Sequence, residues 1–346
     1  MKTIRILLAA VSVLVSQWTF GQNDSIPIYT IMYNQAPEGF DYPLIGFVNN
    51  AHGNHKGAQI GFINTNTKAF TGAQVGFVNS IGDYQNGLQV GFVNSTNGPV
   101  KGMQVGFVNS SADSVNGTQL GFVNTQEHES TGLQTGFINT STKKLNGAQV
   151  GFVNSNPIEV TGAQIGFVNT TGKLSTLQLG FVNFADSIKK GGIPIGFLSI
   201  VKQGGYQAIE VGYNELFPYN LSVKIGIPAL YTTINGAFNP DFDDEFAVGA
   251  GLGSNIAVGP VFFINPEAYY LYHVHAENSI TRASFNFGAN LSPRVQFVAG
   301  PSVSWIRYAD DYDVIDPAFS FYRERFDEND ELIVGINAAL RIQLSK

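Results

Sequence analysis

The chain has 346 residues, of which 44% are hydrophobic and 13% charged, with a formal net charge of −7 and no cysteine. Little charge beside 39 glycines and 27 phenylalanines points to β-structure with a real core, not to a helix bundle or a disordered chain. An acidic balance argues against nucleic acid, which needs basic patches, and the lack of cysteine excludes disulfides, thiolate metal sites and a lipid-modified N-terminal cysteine.

Residues 1–21 read as a secretory signal: Lys2 and Arg5, the apolar stretch "ILLAAVSVLV", then the small residues of "TFG" before Gln22. The apolar run is too short for a spanning helix, and cleavage is expected after Gly21. A lead-in follows over 22–43.

The tetrad "GF[VI]N" then starts at Gly46, Gly61, Gly76, Gly91, Gly106, Gly121, Gly136, Gly151 and Gly166, each fifteen residues after the last. The register slips at Gly180 ("GFVN") and Gly196 ("GFLS"). Each unit reads G-x-Q-x-G-F-x-N and alternates with period two, so Ala73, Val75 and Phe77 share one face while Gln74, Gly76 and Val78 share the other. The connectors show no two-unit alternation, as an antiparallel barrel would require. The pattern therefore predicts a parallel β-solenoid of 15-residue coils over 44–203. Eleven coils at ~4.8 Å make a rod of roughly 50 Å. Asn49, Asn64, Asn79, Asn94 and their successors are expected to form an amide ladder at one corner. Phe47, Phe62, Phe77 and their successors are expected to stack inside, and Phe70, Val100, Val115, Leu145 and Val160 to close the coil as a short second face.

From 204 to 346 the repeat is replaced by longer alternating segments. "ASFNFGANL" sets Ala283, Phe285, Phe287, Ala289 and Leu291 against Ser284, Asn286, Gly288 and Asn290. "RVQFVAGPSVSW" and "LIVGINAALRIQL" alternate in the same way. Seven strands are expected near 206–213, 220–236, 245–256, 259–273, 281–292, 294–308 and 331–344, with "IPIGFLSIV" at 193–201 as an eighth. An apolar face opposite a face of glycine, serine, asparagine and arginine predicts an antiparallel β-barrel of about eight strands of outer-membrane type. A solvated sandwich face would carry more lysine and glutamate. Tyr213, Tyr219, Tyr269, Tyr270, Trp305 and Tyr308 are the candidate interfacial girdles, and Arg282, Arg294, Arg307 and Arg341 are expected to face Glu210 across the lumen.

Over residues 44–201 the chain resembles the bacterial surface-repeat proteins, a Gram-negative outer-membrane family built on "G-x-Q-[IVL]-G-[FL]-[VI]-N" units; "GGIPIGFLSIVKQGGY" extends the likeness toward the C-terminal region. The resemblance implies export, an envelope or surface role, and repeated positions that are structural rather than catalytic.

The remaining chemistry-bearing residues favour plain readings. His273 and His275 lie two apart, as do metal ligands on a strand, but lack a third ligand and read as barrel-rim histidines. His52 and His55 belong to the first connector. The acidic stretches "DFDDE" (241–245) and "ADDYDVID" (309–316) lack the glycine spacing of a calcium loop. "GAGLGSN" (249–255) has no strand-to-helix context for phosphate. Asp83, Asp113, Glu127, Glu129, Glu159 and Asp186 are scattered over different coils, which argues against a carboxylate pair. The expectation is a non-enzymatic scaffold or adhesin-like surface in the outer membrane, with no catalytic, cofactor or metal residue. Its partners would be membrane lipid and an envelope protein or glycan, and its solenoid either periplasmic or surface-exposed. A small transport or pore protein, with the solenoid as plug, is the alternative.

Overall fold

A computed structural model describes residues 27–240, 246–274, 277–309 and 315–344; the expected signal and the loop at 241–245 lie outside them. The described residues form strands and no helix, an all-β chain with a parallel solenoid of about 11 turns and a closed eight-stranded antiparallel barrel. Contacts divide the chain into two units, Met1–Thr176 and Leu177–Lys346.

In the first unit the strands pair in parallel, each with the segment fifteen residues later through most of its length. Tyr33–Ala36 pairs with Val48–Ala51, and that with Ile63–Asn66; His55–Ile60 pairs with Phe70–Val75 on the other wall. Further on, the two walls of a coil run together in longer strands, from Val100–Ser111 to Ala163–Leu174. The fifteen-residue register holds until one irregularity between Asn156 and Glu159.

Physical chemistry explains each fixed letter of the repeat. The asparagines are fully buried, and each Nδ2 donates to the next Oδ1 at 2.6–2.9 Å, from Asn34 through Asn154. The glutamines form a second buried ladder with the opposite sense. Gln74 donates to Gln59, and each later Nε2 to the preceding Oε1 at 2.8 Å, as far as Gln164. Amides buried this way carry no desolvation penalty for an unmade bond. The glycine before the phenylalanine makes room for the asparagine. A Cβ on Gly106 would stand 2.1 Å from the Gly91 carbonyl oxygen and 2.6 Å from Asn94 Nδ2. The first glycine of the unit meets a second demand: Gly102 has φ of +129°, where an L side chain is strained.

The phenylalanines do stack, with ring centroids 4.8–5.1 Å apart and planes within 4° from Phe47 to Phe167. They do so on the outside of the coil, not inside as their hydrophobicity led us to expect. Each ring keeps 43–50% of its surface exposed. The interior is taken by the two amide ladders and by two further rows: one runs from Ala51, Asn66 and Ile81 to Thr171, and in the other Phe70, Val100, Val115, Leu145 and Val160 are buried as anticipated.

The second unit begins with two more parallel coil pairs: Leu177–Leu179 with Ile193–Ile195, and Val182–Ile188 with Leu198–Gln203. The segment 193–201 is thus a solenoid coil and not a barrel strand. Eight strands follow: β1 Tyr206–Asn214, β2 Tyr219–Ile227, β3 Leu230–Phe238, β4 Phe246–Gly253, β5 Phe262–His273, β6 Ser279–Asn290, β7 Val295–Arg307 and β8 Asp330–Gln343. Each pairs antiparallel with the next, and β8 pairs back to β1 through Ile209↔Ile342 and Val211↔Leu340, which closes the barrel. The expected single strand at 220–236 is a hairpin. Pro228 has no N–H to extend a ladder, and Ile227 pairs with Leu230 across the two-residue turn.

Candidate functional site

Alternation within each strand sorts the barrel side chains into two sets. Outside stand Leu221, Val248, Leu252, Phe287 and Leu340, each more than half exposed. Inside stand Lys224, Arg282 and Arg341, each at most 1% exposed. This reverses the arrangement of a protein folded in water, where the apolar face is the buried one. Tyr213, Tyr219, Tyr272 and Trp305 lie outside near one end of the strands, Phe262 and Phe297 toward the other. Tyr270 also faces out, whereas Tyr308 is buried and Tyr269 packs on the interior cluster; those two are not girdle residues. On the outer face of β5–β7, Ala268 and Ala283 with Pro266 and Pro301 leave a shallow apolar groove.

The lumen is filled by two charge networks. In the first, Lys224 Nζ lies 2.5 Å from Glu267 Oε1 and 3.2 Å from Glu210 Oε1. Arg341 donates from Nε to Glu210 Oε2 at 2.7 Å, and to the Tyr206 hydroxyl and Asn265 Oδ1 at 2.7 and 2.8 Å. The Tyr231 hydroxyl donates to Glu267 at 2.5 Å. In the second, Arg282 grips Glu215 with both terminal nitrogens, at 2.5 and 2.9 Å, and also donates to Ser304 and Ser302 at 2.8 Å.

Glu215 is not on a strand. Asn214 Oδ1 accepts the backbone N–H of Leu216 and of Phe217, both at 2.9 Å, and turns this short connection inward. Gly335 leaves the space, since a Cβ there would fall 2.3 Å from the Glu215 carboxyl carbon. Beyond Glu215, Leu216 and Phe217 pack with Leu271, Ile280, Ile306, Tyr308, Ile315 and Ile333 as an apolar stopper at that end of the barrel. Three cations thus meet three carboxylates inside: Lys224, Arg282 and Arg341 against Glu210, Glu215 and Glu267.

Of the four arginines expected in the lumen, Arg341 does face Glu210 and Arg282 faces Glu215. Arg294 and Arg307 point outward, and Arg307 pairs with Asp330 at 3.1 Å. Lys224, Glu215 and Glu267 escaped the sequence reading. For the two on strands the signal was parity: each sits on the polar side of "SVKIG" and "NPEAY".

The other candidates resolve locally. His273 packs edge-on against Phe217, ring centroids 6.0 Å apart, and His275 lies outside the described residues. His52 contacts Asn50, and His55 is buried in the first coil with Nδ1 2.5 Å from the Phe40 carbonyl oxygen. No group of three His, Cys, Asp or Glu among the described residues could hold a metal ion. In the 309–316 stretch, Ile315 joins the stopper and Asp316 pairs with Arg323 at 3.0 Å. Gly249 and Gly251 of "GAGLGSN" lie within β4 and let it pack on Tyr270 and Tyr269, where a Cβ would collide. In the coils, Glu159 accepts from Ser175 and Asp186 pairs with Lys202, each at 2.6 Å.

Fold and interior together define a repeat solenoid followed by a polar-filled, apolar-coated barrel. No protein-family model, curated protein or solved structure matches the chain.

Proposed function

We propose that this protein is a bacterial outer-membrane protein of the surface-repeat kind, whose barrel sits in the bilayer and whose solenoid serves as a non-catalytic scaffold or binding surface. The carrying observation is the inverted barrel: apolar residues exposed outside, ion pairs buried inside. Such a surface is stable against lipid and costly against water. Strands of 8–14 residues match the 9–11 that a tilted strand needs to cross.

The lumen weighs against the pore alternative. An eight-stranded barrel leaves room for little more than side chains, and here paired charges and the Leu216–Phe217 stopper occupy it.

Topology supports an orientation. The strand ends Asn214, Tyr219, Phe238, Phe246, His273, Ser279, Arg307 and Asp330 share one end of the barrel, where the longest gap between strands is 308–329; the connections at 228–229, 254–261 and 291–294 share the other, along with residues 205 and 344. Long loops of such barrels face outward. The coils at 177–203 then enter from the periplasmic side, and the repeats belong to the periplasm.

The test is fractionation of expressing cells, with a protease site inserted at 95–101. We expect the full chain in the outer-membrane fraction, with cleavage only after the outer membrane is permeabilised. Recovery in the soluble fraction would overturn the membrane assignment. Cleavage in intact cells would overturn the orientation alone.

A further inference from the structure

The outer face of the solenoid carries a feature that neither barrel nor amide ladders require. Nine phenylalanines, Phe47 to Phe167, form one unbroken stack about 40 Å long, judged from a repeat near 4.9 Å. The row two residues before each phenylalanine runs beside it; its outer members Ile60, Val75 and Ile165 are about 40% exposed, and those between are half-buried. At roughly 200 Å² per phenylalanine side chain, the exposed ring surface alone is roughly 800 Å². That exceeds the largest apolar patch of an ordinary monomer.

We propose that this phenylalanine ribbon is the face by which two copies of the chain pair. The inference stands independently of where the barrel resides.

Three properties of the ribbon select a second copy as occupant. The first is area: about 800 Å² from each partner is what a standard specific protein–protein interface buries. The second is period. Another copy offers the same row of ring edges at the same spacing, so the two ribbons match along their whole length, as in a dry zipper. The third is the rim. One border is the row Thr65, Ser80, Ser95 and Ser110; the other runs from Ala58 and Ala73 through Leu88 and Met103 to Leu133 and widens the apolar surface. Beyond it stand only two lysines, Lys56 and Lys101, and no tryptophan, too little of the basic and indole anchoring that holds a surface segment to lipid headgroups. A glycan fits less well still. Sugars bind the open faces of aromatic rings, and here each ring face is covered by its neighbour at 4.8–5.1 Å. The same patch on both partners, related by a two-fold axis, closes the assembly at a dimer.

The chain has no cysteine, so one introduced thiol reports on one position. Phe107 is the fifth of the nine and lies near its own mate whether the two ribbons run parallel or antiparallel. Full-length chain carrying Phe107→Cys, purified in mild detergent and oxidised, should give a disulfide-linked dimer, whereas Lys143→Cys on an exposed connector should not. Phe47→Cys will link to itself if the ribbons are parallel, or to Phe167→Cys in a mixture if they are antiparallel; both results support pairing. Replacing Phe92, Phe107 and Phe122 together by serine should abolish the dimer in analytical ultracentrifugation while the far-ultraviolet circular dichroism stays that of the parent. The proposal fails if the Phe107→Cys thiol can be alkylated yet links no better than Lys143→Cys. It fails equally if an environment-sensitive dye on that thiol shifts to the blue only on adding phosphatidylethanolamine vesicles and not with protein concentration, which would make lipid the occupant.

Discussion

Asn109 shows what a single side chain does in the coil. It accepts from Asn94 at 2.8 Å and donates to Asn124 Oδ1 at 2.8 Å and to the Leu120 carbonyl at 2.9 Å, with none of its surface exposed. Leucine there strands a buried donor on Asn94 and a buried acceptor on Asn124, so Asn109→Leu should lower stability by about 1–3 kcal/mol in a urea titration. An unchanged midpoint would mean that the ladder is not a stabilising element. His55 occupies the row that Phe70 continues, and their rings stack with centroids 5.8 Å apart. Burial lowers its pKa below 6.5, against the opposing pull of the Phe40 carbonyl and Asp41. As pH falls the unfolded chain therefore takes up the proton first. The stability that His55 contributes is present above about pH 6.5 and is lost below it. Once the intrinsic pH dependence of exchange is divided out, the protection of amides in the first coils should fall between pH 7.5 and 5.5, and His55→Phe should remove that fall.

At the scale of elements, pairs of buried charges join parts of the barrel that are far apart in the chain. Arg282 on β6 holds Glu215 of the β1–β2 connection. Arg282→Met alone leaves a carboxylate buried without its cation and should cost about 3–5 kcal/mol. Adding Glu215→Gln should restore most of that loss, read from the urea midpoint of refolded barrel in detergent. Additive losses would instead show that the two groups do not act as a pair. This is also the scale at which the sequence was partly legible. Period-two alternation told which residues share a face, as with Phe285 and Phe287 opposite Ser284 and Asn286. In the barrel the scarcity of charge on the polar face also pointed to that face as the lumenal one; in the coils nothing told which face is inside. In the coils, the habit of placing phenylalanine inward failed because glutamine and asparagine satisfy one another with the next coil's amides, which a single repeat unit does not reveal. In the barrel, the run "SVKIGIPALYTTI" alternates on both sides of Pro228, so the tight turn there was hidden within what reads as one strand. Glu215 was invisible for another reason: it lies in a connection whose inward course depends on Asn214 and on the absence of a side chain at Gly335.

Over the whole molecule, two folding regimes share one chain. The coils are held by neighbours fifteen residues away, whereas the barrel closes only when β1 meets β8, from Ala208↔Gln343 to Asn214↔Asn337. Local contacts form early and ring closure late. In such an array stability adds up from nearest-neighbour terms. Every interface between coils from Gly61 to Gly166 uses the same letters, so a break is mended whenever the same letters meet again. Removing residues 91–105 should leave a folded chain one coil shorter, with a thermal midpoint near that of the parent. Removing 91–104 instead puts asparagine and phenylalanine out of line with the coil below and should lower the midpoint markedly by circular dichroism. Whole units can therefore be gained or lost without damaging the fold, because each new contact repeats an old one. The number of coils is then free to vary, while the cross-section of the coil is not.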